Sequence, residues 1–195
     1  NRTQGVRKDW HDEFRAYARA FGKDEGAAIL LRNSDGEEWL VWPKQFVEGL
    51  TFTLNADAIL DSVPVDQMGH VVGWVHSHPM GLDPDPSSVD DDQIREFAID
   101  AGGGIVEMVI FGGPDYRDVS VTRALVIDDE VFVSDTTIVS SRPKTQWDDA
   151  AREFYEASRR PTVDTSPIAT HRAMSSAWSM AQWDEDARDG GSLGH

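Results

Sequence analysis

The stretch GHVVGWVHSHPMGLDPDPSSVDDD, residues 69–92, decides how this chain is read. Its apolar opening, Gly69 to Val75, predicts a buried strand that runs out into His76-Ser77-His78-Pro79. Side chains two apart on a strand leave the same face, so His76 and His78 aim to one side. A short proline-stiffened loop follows, and a helix is expected to start at Ser87-Ser88-Val89-Asp90. A carboxylate at that helix start can join the two imidazoles. Two imidazoles, one carboxylate and an open fourth position make the layout of a catalytic zinc site.

The composition narrows the chemistry around this stretch. None of the 195 residues is cysteine, which excludes disulfides, a thiol nucleophile and thiolate-bound zinc. Any zinc must rest on histidine and carboxylate. The formal net charge is −17, with 35 acidic against 18 basic residues. That balance argues against general nucleic-acid binding, which needs clustered Lys and Arg on phosphates. It reads as a solvated acidic surface or a surface suited to high salt. No apolar run approaches the roughly 18 residues of a membrane span, and no signal-peptide pattern opens the chain. The expectation is a cytoplasmic protein with no membrane partner. The first residue, Asn1, reads as the start of a trimmed or processed chain.

Outward from the motif, the hydrophobic periods predict an α/β domain: one mixed β-sheet with hairpins, flanked by helices. Trp10, Phe14, Tyr17 and Phe21 form one stripe of a first helix, which Gly22 ends as a C-cap. Residues 25–32 predict a buried strand, Asn33-Ser34-Asp35-Gly36 a hairpin turn and 37–42 the returning strand. A strand over 51–55 and a short helix over 56–62 precede the central stretch. After it come a helix over 88–101 with Val89, Ile94, Phe97 and Ala98 on its apolar face, and strands over 105–111, 118–127 and 131–134. Gly102-Gly103-Gly104 stops the helix; no phosphate-loop Lys follows it. A last helix over 145–159 presents Trp147, Ala151, Phe154 and Tyr155. This assigns 1–160 to the domain. Residues 161–195 read as a polar tail, partly disordered or a helix packed back on the domain.

The residues His76-Ser77-His78-Pro79 and Ser87-Ser88-Val89-Asp90 resemble the signature of the JAMM (JAB/MPN domain) zinc metallopeptidases, His-x-His-Pro then Ser-x-x-Asp. The family's upstream Glu, which opens an apolar strand as Glu-x-x-Gly, has its counterpart in Glu25-Gly26-Ala27-Ala28. The resemblance runs from the first helix to about residue 140 and implies an MPN/JAB-like, cytidine-deaminase-like architecture. It implies that His76, His78 and Asp90 bind Zn2+, that Glu25 is the general acid/base, and that the Ser87 hydroxyl stabilises the oxyanion. The implied reaction is hydrolysis of an amide or isopeptide bond in a protein or peptide, by a zinc-activated water. Removal of a ubiquitin-like protein, or trimming of a small protein's C-terminus, is the expected task. Alternatives are a phage tail-assembly peptidase and a non-catalytic interaction scaffold of the same fold. The compact chain between Glu25 and His76 favours a bacterial, archaeal or phage source.

One spacing departs from the family pattern. Seven residues usually separate the second histidine from the serine, and here there are eight. Strict spacing would put Pro86 and Val89 at the Ser and Asp positions, where neither has the chemistry. A loop longer by one residue gives Ser87 with Asp90; a loop longer by two gives Ser88 with Asp91. Away from the motif, Asp83 and Asp85 read as solvated turn residues, Trp74 as core, and His11, His70, His171 and His195 as non-functional. Ser87 and Asp90 also satisfy half a capping box by themselves. Trp178 and Trp183 in the tail are read as packing back or meeting a partner.

Overall fold

A computed structural model describes residues 9–48, 51–54, 61–101, 104–140 and 146–159. Helix α1 spans Asp9–Phe21 and is followed by strands β1 (Ala27–Arg32), β2 (Glu38–Val41), β3 (Gln45–Glu48) and β4 (Thr51–Leu54). A 3-10 helix, Val65–His70, leads into β5 (Val71–Ser77), and α2 spans Ser88–Asp100. Then come β6 (Val106–Gly112), β7 (Asp118–Ile127), β8 (Glu130–Val133), β9 (Thr137–Ser140) and α3 (Asp148–Ser158). Seven strands form one mixed sheet in the order β2-β1-β5-β6-β7-β8, with β9 also paired to β7; β3 and β4 form a separate two-stranded sheet. Strands β5 and β6 run parallel and α2 lies in the crossover between them, whereas the hairpins β1–β2, β6–β7 and β7–β8 are antiparallel. The single mixed sheet flanked by helices is the architecture expected from the sequence.

Both faces of the sheet are covered. On one, α1 lays Trp10, Phe14 and Ala18 over Leu30, Val75 and Phe111. On the other, α2 lays Ile94, Phe97 and Ala98 over Ile29, Trp74 and Met108. This two-sided burial explains the near-continuous apolar runs of β1 and β6, since central strands have no solvent face to alternate towards. A third cluster joins Tyr17 and Phe21 of α1 to Ala151, Phe154 and Tyr155 of α3.

Local expectations hold where turn chemistry is explicit. Gly22 closes α1 at φ +62 with its N–H on the Ala18 carbonyl. In the β1–β2 turn the Asn33 side-chain oxygen accepts from the amides of Asp35 and Glu37. The β7–β8 turn puts Asp128 and Asp129 both at positive φ.

Other boundaries shift for physical reasons. The central strand begins at Val71 and runs through Ser77, because Gly69 and His70 belong to the 3-10 helix that follows Pro64. Strand β1 begins at Ala27, not Glu25; the Gly26 amide turns to Ser77 Oγ, 3.2 Å away. Val89 is 61% exposed, so the apolar face of α2 starts at Ile94. Strands β3 and β9, four residues each, are not among the strands expected from the sequence. Only Asp61 and Ser62 of the helix expected over 56–62 are described, and both are helical. Gly102, Gly103, Thr145 and residues 160–195, with the tail helix, Trp178, Trp183, His171 and His195, lie outside the described residues.

Gly73 is the tightest point of the sheet. It pairs with Leu30 on β1 and Glu107 on β6, and a Cβ there would lie 1.7 Å from the Glu107 carbonyl oxygen. The Arg32 guanidinium reaches Glu107 at 2.7 Å, and Arg123 holds the other Glu107 oxygen at 2.8 Å. Gly73→Ala is expected to push β5 from β6 and cost at least about 3 kcal/mol, the upper range for overpacking. A chemical denaturation curve measures it, and an unchanged midpoint would refute the close approach.

Candidate metal centre

His76 lies near the end of β5, in the register row Ala27–His76–Ile110–Ser120–Ile138 across the sheet. Its neighbours on this face are Trp74 and Ile110, so the imidazole points towards α2. Ser77 turns to the opposite face and supports Gly26. Two residues on, His78 returns to the side of His76, and the ring centroids lie 5.4 Å apart. The backbone amide of His78 donates to the Phe111 carbonyl at 2.9 Å, which fixes the histidine just past the strand end.

The carboxylate comes from the first turn of α2. His76 Nε2 lies 3.1 Å from Asp90 Oδ1, and His78 Nε2 lies 3.3 Å from Oδ2. Asp90 is 7% exposed and His76 2%. The register with Asp90 is therefore the one that reaches the histidines; Ser88 and Asp91 are exposed on the surface of the helix. A loop longer by one residue suffices. Asp90 also caps its own helix. Its Oδ2 accepts from the Ser87 amide at 2.8 Å and from Ser87 Oγ at 2.7 Å, while Ser87 Oγ accepts from the Asp90 amide at 3.2 Å. The capping box and the meeting with histidine coexist on one carboxylate.

The loop between the two halves is held down at three points. Asp83 and Asp85 have exposed side chains, as expected of turn residues. The Asp83 backbone carbonyl, however, takes a hydrogen bond from His78 Nδ1 at 2.7 Å. Ser120 Oγ donates to the Pro84 carbonyl at 2.6 Å and the Gly113 amide to the Leu82 carbonyl at 2.6 Å. Sequence reasoning missed these supports because backbone carbonyls leave no mark in a motif.

The Asp83 contact settles the chemistry of His78. A nitrogen that faces a carbonyl must carry the hydrogen, so Nδ1 is protonated. The opposite nitrogen, Nε2, faces a carboxylate. A bare lone pair aimed at a carboxylate is repulsive unless a positive species lies between them. That species is either a proton, which makes His78 an imidazolium, or a metal ion, for which a backbone-anchored Nδ1–H leaves Nε2 as the ligand.

The electrostatics agree. Burial by itself would push the Asp90 carboxyl up. The hydrogen bonds and charge of His76 and His78, with the Ser87 amide, instead hold it far below the usual carboxylate range. Burial pushes His78 down, but hydrogen bonds to Asp90 and the Asp83 carbonyl and the charges of Asp90 and Glu25 leave it raised.

Glu25 sits half-buried in the loop before β1, where Gly26 is anchored to Ser77. Burial pushes its carboxyl up; His76 and His78 oppose this, Asp90 adds to it, and the net shift is upward. Glu25 is thus within electrostatic reach of all three members of the group. A half-buried carboxyl inclined to hold a proton is suited to proton transfer.

Among the described residues, His76, His78 and Asp90 form a group whose donor atoms lie within 4.8 Å of one another and can hold a metal ion. Two ligands at 2.0–2.1 Å from a tetrahedral zinc stand about 3.3 Å apart; each imidazole nitrogen stands near that spacing from its own Asp90 oxygen, 3.1 Å from Oδ1 and 3.3 Å from Oδ2. The nitrogen and oxygen donor set fits such an ion. The other described histidines stay apart: His11 packs edge-on against Trp10 and Phe111, and His70 lies against Trp39. Trp74 is core, 5.0 Å from the Phe97 ring centroid.

Gly112 tests the loop supports. A Cβ there would meet the Leu82 oxygen at 2.6 Å and the Pro84 nitrogen at 2.8 Å. Gly112→Ala is expected to lift the 82–84 stretch, withdraw the Asp83 carbonyl from His78 and weaken metal binding about 10- to 100-fold, as loss of a ligand's supporting partner does. Chelator competition reads the affinity; no change would remove the Asp83 carbonyl from the site.

A family profile described as prokaryotic homologs of the JAB domain matches residues 7–125. The match takes in Glu25, His76, His78, Ser87 and Asp90. No curated protein matches the chain. No helix among the described residues is long and apolar enough to cross a membrane.

Proposed function

Because this chain belongs to the prokaryotic JAB-domain family, we propose that it is a zinc-dependent metallopeptidase that hydrolyses an amide or isopeptide bond of a protein substrate. The observation that carries the reading is the convergence of two imidazole nitrogens on one buried carboxylate, with a half-buried glutamate beside them. His76, His78 and Asp90 would hold the zinc. The ion supplies Lewis acidity, for activation of water and polarisation of a carbonyl.

The remaining work falls to side chains. Glu25 takes the proton of the attacking water on its carboxylate and returns it to the leaving amine. The charges of His76 and His78 act on that carboxylate, which supports this role. Ser87 Oγ stands at the start of α2, and its hydrogen is directed to Asp90 Oδ2. Its part in stabilising an oxyanion requires that hydrogen to turn from Asp90 to the substrate carbonyl. The Asp83 carbonyl keeps the His78 ring in one tautomer throughout.

Within this activity, removal of a ubiquitin-like protein or trimming of a small protein's C-terminus is the favoured task. One feature favours a second reading, the non-catalytic scaffold: the capping box and the His–Asp contacts satisfy Asp90 without an ion. Metal content and cleavage separate the two. The purified protein should carry about one zinc per chain and release a reporter fused to the C-terminus of a ubiquitin-like protein. Chelation should abolish release, and added zinc should restore it. A protein without zinc, whose His76→Ala variant behaves like the parent, would sink the enzyme reading.

A further inference from the structure

The loop 22–26 that carries Glu25 is tethered along its length. At its start, the Gly22 carbonyl accepts from Tyr116 Oη and from the Met80 amide, the latter at 2.9 Å. Tyr116 is itself held by the buried Arg15, whose Nε donates to the Tyr116 carbonyl at 2.7 Å. At its end, Gly26 exchanges hydrogen bonds with Ser77, whose amide donates to the Gly26 carbonyl at 3.0 Å. These contacts all lie within the 7–125 stretch that matches the family.

The middle of the loop is held from outside that stretch. Asp24, next to Glu25, is 5% exposed, and Tyr155 Oη donates to its Oδ2 at 2.6 Å. Tyr155 stands on α3, well beyond residue 125. Its ring packs edge-on against Phe21 at 5.2 Å, and Arg159 donates to its hydroxyl at 3.1 Å. The helix is docked on α1 by the Arg19–Asp148 ion pair at 2.6 Å and by Phe154 against Tyr17. A buried carboxylate that loses a donor is drawn back towards water, and Asp24 cannot move outward without carrying Glu25 with it.

We propose that α3 is a positioning element for the candidate active site, in which the Tyr155–Asp24 hydrogen bond fixes loop 22–26 and so sets the carboxyl of Glu25 against the His76, His78 and Asp90 group. Tyr155 acts through Asp24, its hydrogen-bond partner on the loop. The proposal rests on Glu25 as the proton carrier, and its test separates the two ideas.

Tyr155→Phe removes the hydroxyl and keeps the ring on Phe21. In the full chain, amide hydrogen exchange at Asp24 and Gly26 should accelerate about tenfold, with the Val71–Val75 amides of β5 and the zinc content unchanged. Cleavage of the ubiquitin-like reporter fusion should lose about ten- to a hundredfold in kcat, with KM within about twofold. In a Glu25→Gln background the same change should cost less than about twofold, because its route to the reaction is already cut. Unchanged exchange overturns the positioning role whatever the activity. Faster exchange with losses that multiply in the double variant overturns it too, since Tyr155 would then act on general stability. A parent protein that cleaves nothing, with exchange still accelerated in the variant, overturns the hydrolytic reading and leaves α3 as the tether of the loop.

Discussion

Asp90→Asn is expected to separate the two duties of one carboxylate, with zinc binding lost and the fold kept. The amide is the same size, and its oxygen can take the place of Oδ2, accepting from the Ser87 amide and hydroxyl. The helix cap then survives, but without metal the fold loses the charge that His76 and His78 face, so apo stability should fall by about 1.5–3 kcal/mol, the scale of a hydrogen bond to a charged group. What remains is an NH2 group where Oδ1 faced His76 Nε2. A neutral amide gives the ion no charge, and its nitrogen is no ligand. Affinity for zinc should fall by more than about 100-fold, exceeding the loss of an outer support, and cleavage should fall with it. Chelator competition and a thermal melt in EDTA read the two duties separately. Retained zinc with a collapsed melt would make Asp90 a capping residue and no ligand.

Glu25→Gln is the second large effect, and its signature is the reverse. Glutamine keeps the length and the hydrogen-bonding shape of the side chain but cannot accept a proton. Zinc content and melting should match the parent, because Glu25 lies outside the three-residue donor group. The rate constant for cleavage should fall about 10²- to 10⁴-fold, the range for removal of a general acid/base. Removing a half-buried carboxyl that burial already pushes towards its protonated form should not weaken the fold. Full activity with zinc retained would falsify the assignment of Glu25 as proton carrier.

The parts of this site that were legible in the sequence are the side chains that meet at the candidate metal centre. His76 and His78 announce themselves by period two on an apolar strand, and Ser87 with Asp90 by a cap signature at a helix start. The supporting parts were not legible. The Asp83 carbonyl, the close pass of Leu82 and Pro84 over Gly112, and the Ser120 hydroxyl under Pro84 involve groups that any sequence offers at many positions. Glu25 was found by resemblance to a family pattern; its own context marks only the start of an apolar strand, and the structure places that start at Ala27. The short strands β3 and β9 escaped because four residues are too few for a period to stand out. Val89 was misplaced because an apolar residue in a helix's first turn can face water as easily as the core.

Residues 69–92 leave one choice to the tertiary structure, the register of the helix start against the histidines. The sequence by itself determined the chemistry: with no cysteine available, two histidines on one strand face and a carboxylate at a nearby helix start leave nitrogen and oxygen donors, whatever the loop does. Local patterns determine this because strand alternation and helix capping act over two to four residues. Only the tertiary structure decided that Asp90, and not Asp91, meets the histidines. An α-helix turns each successive residue about 100° around its axis, so the choice depends on how α2 is rotated against the sheet. Ile94, Phe97 and Ala98, buried against β5 and β6, set that rotation. They lie outside the motif, and the core they fill is closed by strands from both ends of the domain.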